Sequence, residues 1–109
     1  MGLPYQTVTY TTTGTKASIN LDPSLADFKV RVYVDKGAAT VDYKLQYSLD
    51  PSTVADSASI WIDSTTIPAS TTTSKEESFV TPISKIRLII TAVSGGTMTL
   101  QTLQGFMVG

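Results

Sequence analysis

The 109-residue sequence contains no cysteine and no histidine. Without cysteine there is neither a disulfide framework nor a thiolate that could act as nucleophile or metal ligand. Without histidine, the commonest general base, the partner that activates a catalytic serine and the commonest metal ligand are all missing. A G-x-S-x-G segment and a phosphate-binding glycine loop are missing as well. These absences predict a protein that is not an enzyme, with no catalytic residues, no cofactor and no metal site.

Charge is also scarce, because Asp, Glu, Lys and Arg make up 16% of the residues against about 25% in an average soluble domain. The formal net charge is −1, so the sequence lacks the basic field on which binding to DNA or RNA depends. No apolar run approaches the roughly 18 residues that a membrane-spanning helix needs. We therefore expect neither nucleic acid nor a membrane among the partners.

The nine carboxylates are scattered along the chain. They are Asp22, Asp27, Asp35, Asp42, Asp50, Asp56, Asp63, Glu76 and Glu77. Most of them fall at predicted strand ends or beside Lys or Arg, which favours solvated surface positions. Two alternatives stay open: a carboxylate pair of the kind that glycoside hydrolysis uses, and a calcium loop over 50–56, although that segment lacks the ligand alternation of known calcium loops.

The longest regular pattern in the sequence is the alternation of apolar and polar residues over 41–49. On one side fall Val41, Tyr43, Leu45, Tyr47 and Leu49, and on the other fall Asp42, Lys44, Gln46 and Ser48. Successive side chains of an extended chain point to opposite faces. The pattern therefore predicts a strand with the odd-numbered residues buried and the even-numbered residues in water.

Other segments alternate in the same way and are separated by turn residues. Phe28, Val30, Val32 and Val34 form an apolar row, which predicts a strand over 28–35. The turn residues at 35–38 predict a hairpin that pairs this strand with 39–49, and Ser94-Gly95-Gly96-Thr97 predicts a second hairpin. About eight strands result. They indicate an all-β protein, a two-sheet antiparallel sandwich of jelly-roll or immunoglobulin-like type.

The sequence predicts a single sandwich domain over 1–109, with a short N-terminal arm over 1–5 and an apolar tail over 105–109. Three large apolar residues of this tail, Phe106, Met107 and Val108, are candidates for contact with a partner, and so is Tyr5 in the arm. The alternative is that the tail docks onto its own domain.

Two aromatic side chains are candidates for a ligand platform, because exposed rings stack on sugars in carbohydrate-binding sandwiches. Tyr33 falls on the wet side of its strand, and Trp61 lies in the short strand Ile60-Trp61-Ile62. The alternative is packing: Trp61 would fill the space between the sheets, and Tyr33 would cover a neighbouring strand or subunit.

Three segments together resemble small virion proteins of tailed bacteriophages. They are a strand that ends in Ser48-Leu49-Asp50, the strand Trp61-Ile62-Asp63, and the run 86–100 with the pattern R-L-x-x-T-A-x-x-G-G-x-x-x-L, followed by Gln104-Gly105. The likeness covers roughly 28–105 and consists mainly of strand and turn patterns. The same patterns are similar to sugar-binding sandwich modules and to tail-fibre domains.

The resemblance implies a capsid decoration protein, also called a cement protein, that binds and stabilises the phage head. Its location would be the capsid surface of the virion. Its partners would be the major capsid protein or other virion proteins, and it would form a homo-oligomer, a trimer or a dimer. The alternative that the resemblance leaves open is a carbohydrate-binding or host-attachment module of a phage tail or fibre.

Overall fold

A computed structural model describes residues 5–24 and 28–104 and contains nine strands in this part of the chain. The strands are β1 (Tyr5–Tyr10), β2 (Gly14–Thr15), β3 (Ile19–Asn20), β4 (Val30–Asp35), β5 (Thr40–Ser48), β6 (Ile62–Asp63), β7 (Lys75–Phe79), β8 (Lys85–Ser94) and β9 (Met98–Gln104). A 3₁₀ turn covers Asp56–Ala58. Within these residues, no helix has the length and hydrophobicity to cross a membrane.

The strands form two antiparallel sheets, as the sequence predicts. The first sheet has the order β1-β9-β4-β7. The second has the order β2-β8-β5-β6, and β3 pairs with β8 beside β2. The all-β, two-sheet sandwich is therefore confirmed.

The order of the strands identifies the sandwich as a jelly roll. The two short strands β2 and β3 follow the same edge of β8 end to end, so they occupy one strand position. Counted in this way, eight positions remain, and chain-consecutive positions alternate between the sheets except for β5 and β6. The immunoglobulin fold instead keeps its first two strands as neighbours in one sheet. Alternation between sheets is the jelly-roll connectivity, which the sequence left open.

The core lies between the sheets and consists of the side chains that the alternation places inward. The first sheet contributes Val30, Val32 and Val34, and the second contributes Val41, Tyr43, Leu45, Ile86, Leu88 and Ile90; all are at most 2% exposed. Burial of each of these large apolar side chains stabilises the fold by roughly 1.5–3 kcal/mol before opposing terms are counted. The predicted inward row of Phe28, Val30, Val32 and Val34 is confirmed.

Both predicted hairpins are wrong, because each turn carries the chain across the core from one sheet to the other. The turn at 35–38 joins β4 of the first sheet to β5 of the second, and the turn at 94–97 joins β8 to β9. The two turns touch: a Cβ on Gly96 would lie 3.1 Å from the backbone nitrogen of Ala39, so a larger residue at 96 would push the turns apart by a few tenths of an ångström. Alternation shows only that each of the two strands buries one face. The strands can then be neighbours in one sheet, or they can lie in opposite sheets with their apolar faces packed on each other.

The predicted pattern over 41–49 is wrong at its end. The strand stops at Ser48, and Leu49, which the pattern places inward, is 61% exposed. Gln46 and Ser48, which the pattern places in water, are buried. Gln46 bonds to Asp63 of β6 and to Arg87 of β8, and Ser48 bonds to Asp50 of the following segment, so these residues are held by contacts that strand periodicity does not predict.

The predicted arm is one residue too long. Tyr5 is the first residue of β1, where it lies opposite Leu103 of β9. Residues 1–4 of the arm and the whole tail 105–109 lie outside the described residues, and so do the candidates Phe106, Met107 and Val108.

Candidate functional site

The outer face of the first sheet brings two of the candidate residues together. Tyr5 of β1, Leu103 of β9 and Arg31 of β4 lie in one row across the strands. Tyr33 of β4 and Gln101 of β9 lie in the next row. Their side chains point away from the core because their neighbours along each strand are buried. The Tyr33 face, as we call this surface, consists of these five side chains together with Glu76 of β7 and Val80, which follows β7.

The Tyr33 face combines exposed apolar side chains with a charged pair. Tyr5 is 52% exposed, Tyr33 38% and Leu103 55%. Arg31 donates from Nη2 to both carboxylate oxygens of Glu76, each at 3.1 Å. This pair is exposed and adds little stability. Its effect is to hold a cation and an anion at fixed positions beside the tyrosine rings.

Two shallow depressions cross this face. The smaller, of about 230 Å³, is lined by Tyr5, Tyr33 and Leu103 among others. The larger, of about 520 Å³, lies between Leu103 and Val80, and Val80 is 70% exposed. Single exposed apolar side chains are normal on a protein surface, but neighbouring ones that form a patch mark interaction sites. These four side chains form such a patch.

Trp61 lies on the other side of the molecule, over the outer face of the second sheet. Its ring centroid is 4.0 Å from the guanidinium carbon of Arg87 and 5.4 Å from Nζ of Lys85, both on β8. Its indole nitrogen donates to the carbonyl of Asp56 at 2.9 Å. Trp61 is therefore half-buried and packs on cations outside the sandwich, so the interpretation that it fills the space between the sheets is wrong.

The group around Trp61 fixes the segment 50–61 to the second sheet. Lys85, which is 1% exposed, donates to the carbonyl of Val54 at 2.8 Å and to Oγ of Ser59 at 2.5 Å. Asp56 accepts a hydrogen bond from the hydroxyl of Ser18 at 2.7 Å, and its carboxylate lies 3.6 Å from Nζ of Lys85. The hydrogen bond from Ser18, followed by the charge of Lys85, lowers the pKa of Asp56. Burial lowers the pKa of Arg87.

The structure thus separates the two platform candidates onto opposite outer faces, so Tyr33 and Trp61 cannot contact one small ligand together. Tyr5 joins Tyr33 instead. Leu103 and the pairing of Arg31 with Glu76 are not among the residues that the sequence predicts for a site. A signal for Leu103 was present, because it falls in the outward register of β9, whose inward residues Met98 and Leu100 are fully buried.

The carboxylates do not assemble into a metal site in the part of the chain that the structure describes, where no cluster of three or more acidic side chains could hold an ion. Asp50 accepts from the backbone nitrogen of Ile60 at 2.6 Å and thereby closes the loop on itself. Comparison of the chain with known protein families, with curated proteins and with solved structures finds no match.

Proposed function

We propose that this protein is a non-enzymatic structural protein of a virion, a decoration or cement protein that attaches to the capsid surface through the Tyr33 face. The observation that carries the proposal is the exposed patch of Tyr5, Tyr33, Leu103 and Val80 beside the pair Arg31–Glu76. Aromatic side chains and arginine are the residues that most often dominate the binding energy of protein interfaces. Capsid proteins are among the classes in which jelly rolls recur, although a fold alone does not assign a function.

The composition supports the same proposal. Many copies of a decoration protein crowd onto one shell, and a net charge of −1 with 16% charged residues limits repulsion between neighbouring copies. A patch of this size buries less area than a standard interface. Attachment of many copies, or of an oligomer, to a repeating lattice raises the overall affinity above that of a single patch. The partner is the major capsid protein or another virion protein.

Binding to particles tests the proposal. Mass spectrometry of purified particles from the source of the gene should find the chain in many copies per particle. In co-sedimentation with shells that lack the protein, Leu103→Ser and Tyr33→Ala should each weaken binding by about tenfold or more, as loss of an interface anchor does. Ile60→Ser is the matched control, because Ile60 is 74% exposed outside the Tyr33 face. Equal binding by Leu103→Ser, Tyr33→Ala and Ile60→Ser proteins would refute the proposal.

The tail is tested separately. Phe106, Met107 and Val108 stay predicted contacts, and a chain that ends at Gln104 should keep its fold but bind shells more weakly. Unchanged shell binding would remove the tail from the proposed interface and leave the Tyr33 face as its basis.

A second candidate function is a carbohydrate-binding or host-attachment module. One observation favours it: the ring of Tyr33 is exposed beside Arg31, Glu76 and Gln101, and sugars are bound by stacking on a ring with polar groups around it. A glycan array discriminates between the functions. Saturable binding to one glycan class that Tyr33→Ala abolishes, without binding to shells, would favour this candidate.

A further inference from the structure

The two sheets of the sandwich have four outer edges, and three of them carry features that block pairing with another strand. The edge strand β7 carries Lys75, Glu76 and Glu77 among its five residues. At the second edge, β6 has two residues, and the segment after it follows β5 irregularly through bonds such as Leu45 N to the carbonyl of Ile67 at 3.1 Å. At the third edge, β2 and β3 have two residues each and are interrupted by 16–18.

The fourth edge, β1, has none of these features. Its sequence Y-Q-T-V-T-Y contains no charge, no proline and no glycine. Its pairing with β9 runs without a bulge from Tyr5 to Tyr10. Because β1 stands at the end of the strand order, only one of its two edges is paired within the described residues. A long, regular and uncharged edge presents free backbone donors and acceptors and is a template for a further strand.

We infer that the free edge of β1 is a strand-pairing site and that its partner is a second copy of this chain, with β1 antiparallel to β1 across a two-fold axis. Side chains directly opposite each other in an antiparallel pair lie on the same face. The symmetric pairings with most overlap are therefore centred on Thr7 or on Val8. The first places Thr7 opposite Thr7 and Tyr5 opposite Thr9; the second places Val8 opposite Val8 and Thr7 opposite Thr9.

The lack of charge on β1 favours a second copy of β1 as the partner. In every symmetric pairing of β1, uncharged residues meet uncharged residues, and aromatic–threonine and threonine–threonine pairs stabilise antiparallel strands. The same operation on β7 would place Glu76 opposite Glu76 or Glu77 opposite Glu77. The isologous contact also closes, so it ends at a dimer and does not extend into a filament.

This inference goes beyond the proposed function, because it concerns the edge of the first sheet and not its outer face. The dimer would join two four-stranded sheets into one of eight strands. Both Tyr33 faces would then lie on the same side of the joined sheet. Such a dimer would offer a lattice two attachment patches in one unit, which is the arrangement that multivalent binding requires.

Sedimentation of the purified protein tests the inference without any particle. Sedimentation equilibrium of the unaltered protein, at micromolar to millimolar concentration, should give a molar mass twice that of one chain. The double substitution Thr7→Lys with Thr9→Lys places lysine opposite lysine in both pairings, on side chains that are exposed. We expect it to weaken the dimer by about tenfold or more. The pair Thr7→Glu with Thr9→Glu should do the same, and a mixture of the two proteins should restore a dimer that contains one copy of each.

The matched control is Thr65→Lys with Thr72→Lys, which adds the same charge at two exposed threonines far from β1 in the sequence. It should dimerise as the unaltered chain does. The inference is overturned if the unaltered chain is a monomer up to millimolar concentration, if it forms larger polymers, or if its dimer is insensitive to the lysine pair. A dimer that fails to bind shells would refute the proposed function and leave the edge pairing intact.

Discussion

At the scale of single residues, Tyr43 shows how the core accommodates a polar group. Its ring is 1% exposed among apolar neighbours, while its hydroxyl donates to the carbonyl of Thr73 at 2.6 Å. Burial, with a smaller contribution from the charge of Tyr33, raises the pKa of Tyr43 to about 12 from the ordinary value of 10.0. The folded protein therefore holds this proton more tightly than the unfolded chain does.

The raised pKa predicts a loss of stability in alkaline solution. Below pH 10 the hydroxyl is protonated in both states; between pH 10 and 12 the unfolded chain loses the proton first, so the free energy of unfolding falls as pH rises. The fall due to Tyr43 should reach about 2 kcal/mol by pH 12. Urea unfolding at pH 9 to 11.5 measures it. Tyr43→Phe should flatten the slope, and Tyr10→Phe, where burial also raises the pKa, should flatten it further. An unchanged slope in the Tyr43→Phe protein would contradict the assignment.

At the scale of elements, the segment 50–61 owes its position to one buried ammonium group. Lys85 reaches outward from β8 and bonds to Val54, Ser59 and Asp56, so three points of the segment converge on one charge. The ring of Trp61 also lies over this ammonium group, with its centroid 5.4 Å from Nζ of Lys85. Loss of that charge would leave the carbonyl of Val54 without the Lys85 donor and the carboxylate of Asp56 without its cation.

Lys85→Met tests this arrangement because it keeps the length of the side chain and removes the ammonium. We expect the free energy of unfolding to fall by about 2–3 kcal/mol. Lys75→Met, on the exposed edge strand β7, is the control and should change stability by less than about 0.5 kcal/mol. Trp61 is the single tryptophan of the chain. Its fluorescence should therefore report release of the segment. If both variants unfold at the same urea concentration, the ammonium does not hold the segment.

The elements also show which parts of the structure the sequence determines locally. Alternation predicts the inward rows Val30 to Val34 and Val41 to Leu45, because side-chain direction follows from backbone geometry alone. By its composition, the turn at 35–38 suits a hairpin within one sheet as well as a connection between two sheets. The connection forms because the apolar faces of β4 and β5 pack on each other across the core. Gln46 is buried although the pattern places it in water, and its amide bonds to Asp63 of β6 and Arg87 of β8, which are distant in the sequence. In the candidate site, alternation places Tyr33 outward, whereas its neighbours Tyr5 and Leu103 come from strand pairings that no local pattern contains.

At the scale of the whole molecule, the jelly-roll order joins strands that are far apart in the chain. β9, the last described strand, lies between β1, the first, and β4. The hydroxyl of Tyr5 accepts from Gln101 across 96 residues of sequence. Each sheet therefore forms only when strands that are distant in the sequence come together. Closing these long loops costs chain entropy before the contacts between the strands stabilise the fold.

Slow folding follows from this topology. On dilution from urea we expect refolding in milliseconds to seconds, as in other β-sandwiches dominated by non-local pairing. Stopped-flow fluorescence of Trp61 and far-ultraviolet circular dichroism should give the same rate, because the segment that holds Trp61 cannot dock before β8 is paired with β5. Refolding in less than a millisecond would contradict the expected slow folding, and a fluorescence phase well ahead of the dichroism would show that the second sheet forms before the first. Either result would show that closure of the long loops does not limit the folding of both sheets together.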